Sequence, residues 1–161
     1  MRFSVWAIGA ILAGAMVSAS GGLSAADSPS PTEIIKARQQ HLKDLGGAMK
    51  AIGEQVKSGT LDKTIMTEQA TKATALAKEI VDWFPKGTGE EAGVKTAAKP
   101  EIWAMPDDFK AAAAKLPIET DKLAEVAATG DGPDIMAQLQ ATGKACQGCH
   151  KIFRVPPPEG H

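Results

Sequence analysis

The 161-residue chain carries 18 basic and 19 acidic side chains, two cysteines and no tyrosine. A net charge of −1 gives no global pull toward nucleic acid or an anionic membrane. With 4% aromatic residues the composition disfavours a β-sandwich or barrel, and two cysteines cannot build a disulfide scaffold. A chain of this length suits one domain, whose core has to come from helix packing or from a bound group.

Residues 1–26 read as a targeting segment. Arg2 precedes an almost wholly apolar run from Val5 to Val17, and Leu23-Ser24-Ala25-Ala26 places small residues before a cut after Ala26. This is the pattern of a cleaved secretory signal peptide, with a mature domain over 27–161. The run is short for a membrane anchor, and Gly21 and Gly22 interrupt it. Cleavage removes Arg2 and no acid, so the mature chain carries a net charge of −2. Export implies an oxidising compartment, the periplasm, where a free cysteine pair calls for an explanation.

Four helices follow. Ser30, Pro31 and Glu33 form a capping signature, and Ile35, Arg38, Leu42, Leu45, Met49, Ile52 and Val56 then step by three and four until Gly59. A second stripe runs through Ile65, Gln69, Ala73, Leu76, Ile80 and Trp83 and stops at Phe84-Pro85. Residues 86–99, with three glycines, read as a loop. Helix resumes from Pro106 or Asp107 to Ala128, with a kink or short break expected at Pro117. Asp131-Gly132-Pro133-Asp134 starts the last helix, striped by Ile135, Leu139, Thr142 or Gly143, Cys146, His150 and Phe153, and Pro156-Pro157-Pro158 forbids its continuation. Four such helices with short connections argue an all-α, antiparallel bundle.

The last helix concentrates the chemistry in Cys146-Gln147-Gly148-Cys149-His150. Spacings of three and four put both thiols and the imidazole near one helix face. Two thiols so placed can add to the two vinyl groups of one haem, and the next imidazole can bind its iron. C-x-x-C-H is the attachment signature of haem c. A thioredoxin-like site would want an α/β frame that this chain lacks. A structural zinc site would want four ligands, and His41 and His161 suggest no second pair.

Further residues carry a resemblance. The attachment motif lies near the C-terminus, and Arg154 follows His150 by four. The first helix reads Arg38-Gln39-Gln40-His41-Leu42, and Lys99-Pro100-Glu101-Ile102-Trp103 precedes the third. Over Thr32 to Arg154 the chain resembles the class II c-type cytochromes, the cytochrome c′ family. The resemblance implies an up-down-up-down four-helix bundle with one covalent haem per chain. Pro117 and the proline tail depart from the family pattern.

The resemblance also implies roles on the two faces of the haem. His150 is the expected iron ligand. Leu42 occupies a position where relatives with methionine resemble six-coordinate carriers, and a leucine there implies five-coordinate iron. His41 is turned about 100° from the Leu42 face, which reads as a flank or surface histidine rather than a ligand. Met49 lies about 10 Å further along the axis and reads as core, as do Met66, Met105 and Met136. Arg38, the one charge on the apolar stripe, either snorkels to water or, as the family position implies, pairs with a haem propionate. Gln39 belongs to the same family segment. Arg154 borders the proximal face or simply favours the helix C-terminus. Trp103 is expected to pack at the haem edge or in the core.

The function implied is a periplasmic one-electron carrier working with a redox partner, and not an enzyme. A peroxidase would need a distal acid–base group, which only a rotated His41 supplies. The alternative is a binding module for nitric oxide or carbon monoxide, since an apolar pocket without a distal donor disfavours oxygen. The mature form offers no membrane span, and an apolar face on the first two helices suits a monomer or a homodimer.

Overall fold

The computed structural model describes residues 28–157; the signal-peptide reading over 1–26 lies outside them, as does the end of the proline tail. Helix α1 (Pro31–Ser58) begins as its sequence dictates. The Ser30 side chain accepts the Glu33 amide at 3.3 Å, and the Glu33 carboxylate accepts the Ser30 amide at 2.7 Å. Such a box satisfies two orphan donors and contributes about 1 kcal/mol. At the other end Gly59 takes the left-handed conformation, φ 69°, that lets the chain turn back. Asp62 then caps α2 (Lys63–Glu79) by accepting the Thr64 and Ile65 amides, and α2 tightens into a 3₁₀ turn over Ile80–Trp83.

A crossover holding a further 3₁₀ turn, Glu90–Ala92, leads to the short α3 (Glu101–Ala104) and then to α4 (Pro106–Ala113). The expected long third helix is interrupted at Ala114 rather than at Pro117, and α5 (Lys115–Thr129) follows. Proline explains the offset. Pro117 has no amide to give the Ala113 carbonyl, so the ladder fails ahead of it and the ring sits in the first turn of α5, where amides are unpaired anyway. Asp131 caps α6 (Gly132–Phe153) by accepting the Asp134 amide at 3.0 Å. The helix ends at Phe153, before the prolines, because the chain enters an extended pairing of Arg154 with Ala98.

The core is stacked in three layers. In the first, Ile52 from the end of α1 meets Met66 and Ala70 from the start of α2, Leu123 and Ala127 from the end of α5 and Ile135 from the start of α6. Ends meeting starts in this alternation make the bundle antiparallel. The middle layer joins Leu45 and Ala48 to Ala73, Ala77 and Leu116. The third is aromatic: Phe109 sits edge-on to both Phe84 and Phe153, with centroids 5.1 and 5.3 Å apart, beside Ala98 and Ile102. The buried face of α2 differs from the predicted stripe. Met66, Ala70, Ala73 and Ala77 are buried, whereas Ile65 is exposed. Small alanines let α2 approach α1 and α5 closely, and that proximity decides the face over the size of Ile65. Among the described residues no helix is long and apolar enough to cross a membrane.

Candidate functional site

The two thiols lie on the inner side of α6, where the middle and aromatic layers meet. Cys146 packs against the layer of Leu45, Ala73 and Leu116, and Cys149 against that of Phe109 and Phe153. Both are half-buried and free. Burial pushes the Cys146 thiol up; Cys149 rises through burial and then through its neighbour. These are neutral thiols, unlike the low-pKa thiolate of a disulfide oxidoreductase. One turn on from Cys146, His150 is exposed as a whole residue but its ring is partly desolvated, and that desolvation first and Arg154 second hold the imidazole below its usual range. That shift favours the neutral ring, the form that ligates a metal. Among the described residues no three His, Cys, Asp or Glu side chains converge to hold a metal ion directly. An iron at His150 would need its other donors from a tetrapyrrole.

Helix α1 provides the facing wall. Its inward stripe is buried at Ile35, Arg38, Leu45, Ala48 and Ile52 but breaks at Leu42, which is 36% exposed. An apolar side chain on the inner stripe of a helix is covered in an ordinary bundle. Apart from the helix's own backbone and adjacent residues, no heavy atom stands within 4 Å of where a Cβ would sit at Gly46, one turn after Leu42, or at Gly143, one turn before Cys146. The donor set and this uncovered apolar wall fit a haem: Cys146 and Cys149 would hold its edge, His150 its iron, and Leu42 would lie on the α1 side. Leu42 has no atom able to ligate.

Arg38 departs from the snorkelling reading. It is 2% exposed, so it does not snorkel. Its two terminal nitrogens donate to oxygens of the stretch from Trp83 to Thr96, while its Nε–H enters none of these bonds. One terminal nitrogen donates to Thr88 Oγ1 at 3.0 Å and the Trp83 carbonyl at 3.4 Å; the other donates to the Thr88 carbonyl at 3.0 Å and Thr96 Oγ1 at 3.1 Å. The guanidinium also lies over the Phe84 ring, 4.5 Å from its centroid. A buried cation without a carboxylate is tolerable only when its donors are satisfied in this way. Gln39 likewise faces the crossover, donating to the Lys95 carbonyl at 3.0 Å.

The remaining sequence candidates fall as follows. His41 stacks on Trp83, centroids 4.9 Å apart and planes 25° from parallel, which makes it a packing group on the flank. Met49 packs between the first two layers and Met66 is buried in the first, whereas Met105 is exposed. Arg154 is exposed beyond the end of α6, close enough to His150 to act on its charge. Trp103 borders the aromatic layer and donates its indole N–H to the Phe84 and Pro85 carbonyls at 3.1 and 3.0 Å. Thr88 and Thr96, the acceptors for Arg38, were invisible in the sequence. A lone arginine on an apolar stripe announces that acceptors are needed, but not which loop supplies them.

The chain resembles known proteins along most of its described length. A family profile described as Cytochrome C′ matches residues 33–154. Cytochrome c′ from Pararhodospirillum photometricum is 36% identical over 126 residues, covering 78% of this chain and 98% of that one. Cytochrome c-556 from Agrobacterium tumefaciens (strain II Chrys) is 35% identical over 123 residues, with 75% and 96% covered. The crystal structure of cytochrome c′ from Rubrivivax gelatinosus superposes with a TM-score of 0.70 at 31% identity, covering 78% of this chain and 98% of that chain.

Proposed function

The chain belongs to the cytochrome c′ family, whose members carry one covalently bound c-type haem per chain, and on that premise we propose that it is an exported one-electron carrier with five-coordinate iron. The bound haem supplies an iron that gains and loses one electron. Cys146 and Cys149 would anchor the group to α6 through thioethers, and His150 would hold the iron from the same helix. Attachment to one rigid element fixes the haem against the bundle, so little has to reorganise when the charge changes. Leu42, on α1, would bring no donor. The periplasm is the compartment that the N-terminal pattern implies, and the redox partner is a second protein there.

The single observation that carries this reading is the pairing of the half-buried Cys146–Cys149 face of α6 with the break at Leu42 in the buried stripe of α1. The same leucine favours a second reading, binding of a small neutral gas such as nitric oxide or carbon monoxide. An apolar cover leaves the sixth position to an outside ligand and gives bound oxygen no hydrogen bond. An ultraviolet–visible spectrum of the reduced protein with and without carbon monoxide, joined to a redox titration, tests both. Five-coordinate high-spin iron with a reversible one-electron step supports the carrier, and a carbon monoxide shift adds the gas reading. Low-spin iron indifferent to carbon monoxide overturns five-coordination and revives His41 as a ligand.

A further inference from the structure

The hydrogen bonds of Arg38 continue beyond the loop that it holds. Thr96 Oγ1 accepts from Arg38 at 3.1 Å and also accepts the Ala98 amide at 3.2 Å, which fixes the extended conformation of residues 96–98. That stretch pairs with the chain just past α6: the Lys99 amide donates to the Phe153 carbonyl at 3.0 Å, and the Val155 amide to the Ala97 carbonyl at 2.8 Å. Arg154 closes the circuit, its amide donating to the His150 carbonyl at 3.1 Å. Gln39 adds a second tie from α1, to Lys95. Ala98 and Phe153 are both buried in the aromatic layer that receives Cys149, so the strap is packed as well as hydrogen-bonded. A helix end otherwise frays, since its last four carbonyls lack partners.

We propose that Arg38 and Thr96 are positioning residues: through residues 97–99 they clamp the last turn of α6 and thereby set the orientation of His150. The proposal rests on His150 being the iron ligand. It ties the helix that bears Leu42 to the helix that bears the proximal ligand by hydrogen bonds that bypass the haem. Small rotations of an imidazole change its bond to a metal, and outer contacts that fix the ring commonly govern that bond. The strap is such a contact, acting through the backbone.

The test uses the haem-loaded protein and two observables. One is the iron–histidine stretching band in the resonance Raman spectrum of the ferrous form. The other is hydrogen exchange over residues 97–99 and 153–155. Thr96→Val keeps the side-chain volume but removes the shared acceptor; it should accelerate exchange in both stretches and broaden and lower the band. Thr96→Ser retains the oxygen and should restore both observables. Faster exchange with an unmoved band would overturn the proposal, leaving the strap a purely structural clasp. Absence of the band from the unsubstituted protein would instead overturn histidine ligation. Should the valine variant fail to accumulate, Arg38→Lys breaks the same bond from its donor side and is read by the same two observables.

Discussion

Arg38→Ala is the substitution on which the reading of α1 depends most. It removes four hydrogen bonds from a side chain that is 2% exposed, and strands acceptors on Trp83, Thr88 and Thr96. Each hydrogen bond to a charged donor contributes about 1.5–3 kcal/mol net, but these share one group and do not add. A buried acceptor left unsatisfied costs about 1–3 kcal/mol, so stranding four that share one donor group should cost about 3–5 kcal/mol in all. For a domain of this size 1 kcal/mol moves the midpoint by about 3–5 °C, so Tm should fall by roughly 10–20 °C. Arg38→Lys keeps the charge but replaces the fork with a single ammonium, and should fall between the two. The measurement is urea and thermal unfolding of the haem-loaded variants, followed by circular dichroism. A loss under about 1 kcal/mol in Arg38→Ala would refute the reasoning, since that is the scale of a guanidinium sitting in water.

Three further outcomes are expected. Cys146→Ser with Cys149→Ser should abolish haem staining that survives boiling in detergent, and haem that boils out of the unsubstituted, matured protein would defeat covalent attachment. Leu42→Ala should raise carbon monoxide affinity about tenfold, equivalent to about 1.4 kcal/mol of relieved crowding, while Leu42→Met should give low-spin iron if the register of α1 is right; unchanged spectra in both would displace Leu42 from the site. The hydrogen bond from Lys122, and then that from Gln138, holds the Glu119 carboxyl below its ordinary range. Its contribution is present above the unfolded carboxylate range and is lost as pH falls through the lowered folded value. Glu119→Gln should therefore lower the melting point at neutral pH and not in acid, and an equal deficit at both would exclude the charge as its source.

What could be read in advance depended on the range of the interaction. The capping box at Ser30, the stop at Gly59 and the Asp131 cap are local, settled within four residues, and the structure has them where the sequence places them. The C-x-x-C-H face is local too, because helical spacing alone brings Cys146, Cys149 and His150 together. The burial of α2 was not legible: alanines and isoleucine compete for the core, and the neighbours' shape decides for Ala70 and Ala77 against Ile65. Pro117 announced an interruption, but the carbonyl that it deprives lies four residues earlier, and the break moves toward it. The partners of Arg38 are 45 to 58 residues away, and Thr88 and Thr96 among them lie on a crossover whose path no periodicity encodes.

These differences in range track a difference between the two ends of the bundle. At the end holding Ile52, Met66, Leu123 and Ile135, side chains close the core by themselves, and each is fully buried. At the other end the stripe of α1 is interrupted at Leu42, and order comes instead from hydrogen bonds to the crossover and from three phenylalanines packed edge to face. Apolar burial is non-directional and tolerates small shifts, whereas hydrogen bonds from a planar guanidinium fix position. A cofactor wall has to stay in place without being filled by the protein's own side chains, and directional bonds from one helix to a loop achieve that where packing cannot. The charge buried at Arg38 makes sense on those terms: it costs desolvation, offset by its four acceptors, and in return the stretch of α1 that carries Leu42 is held in position against the crossover.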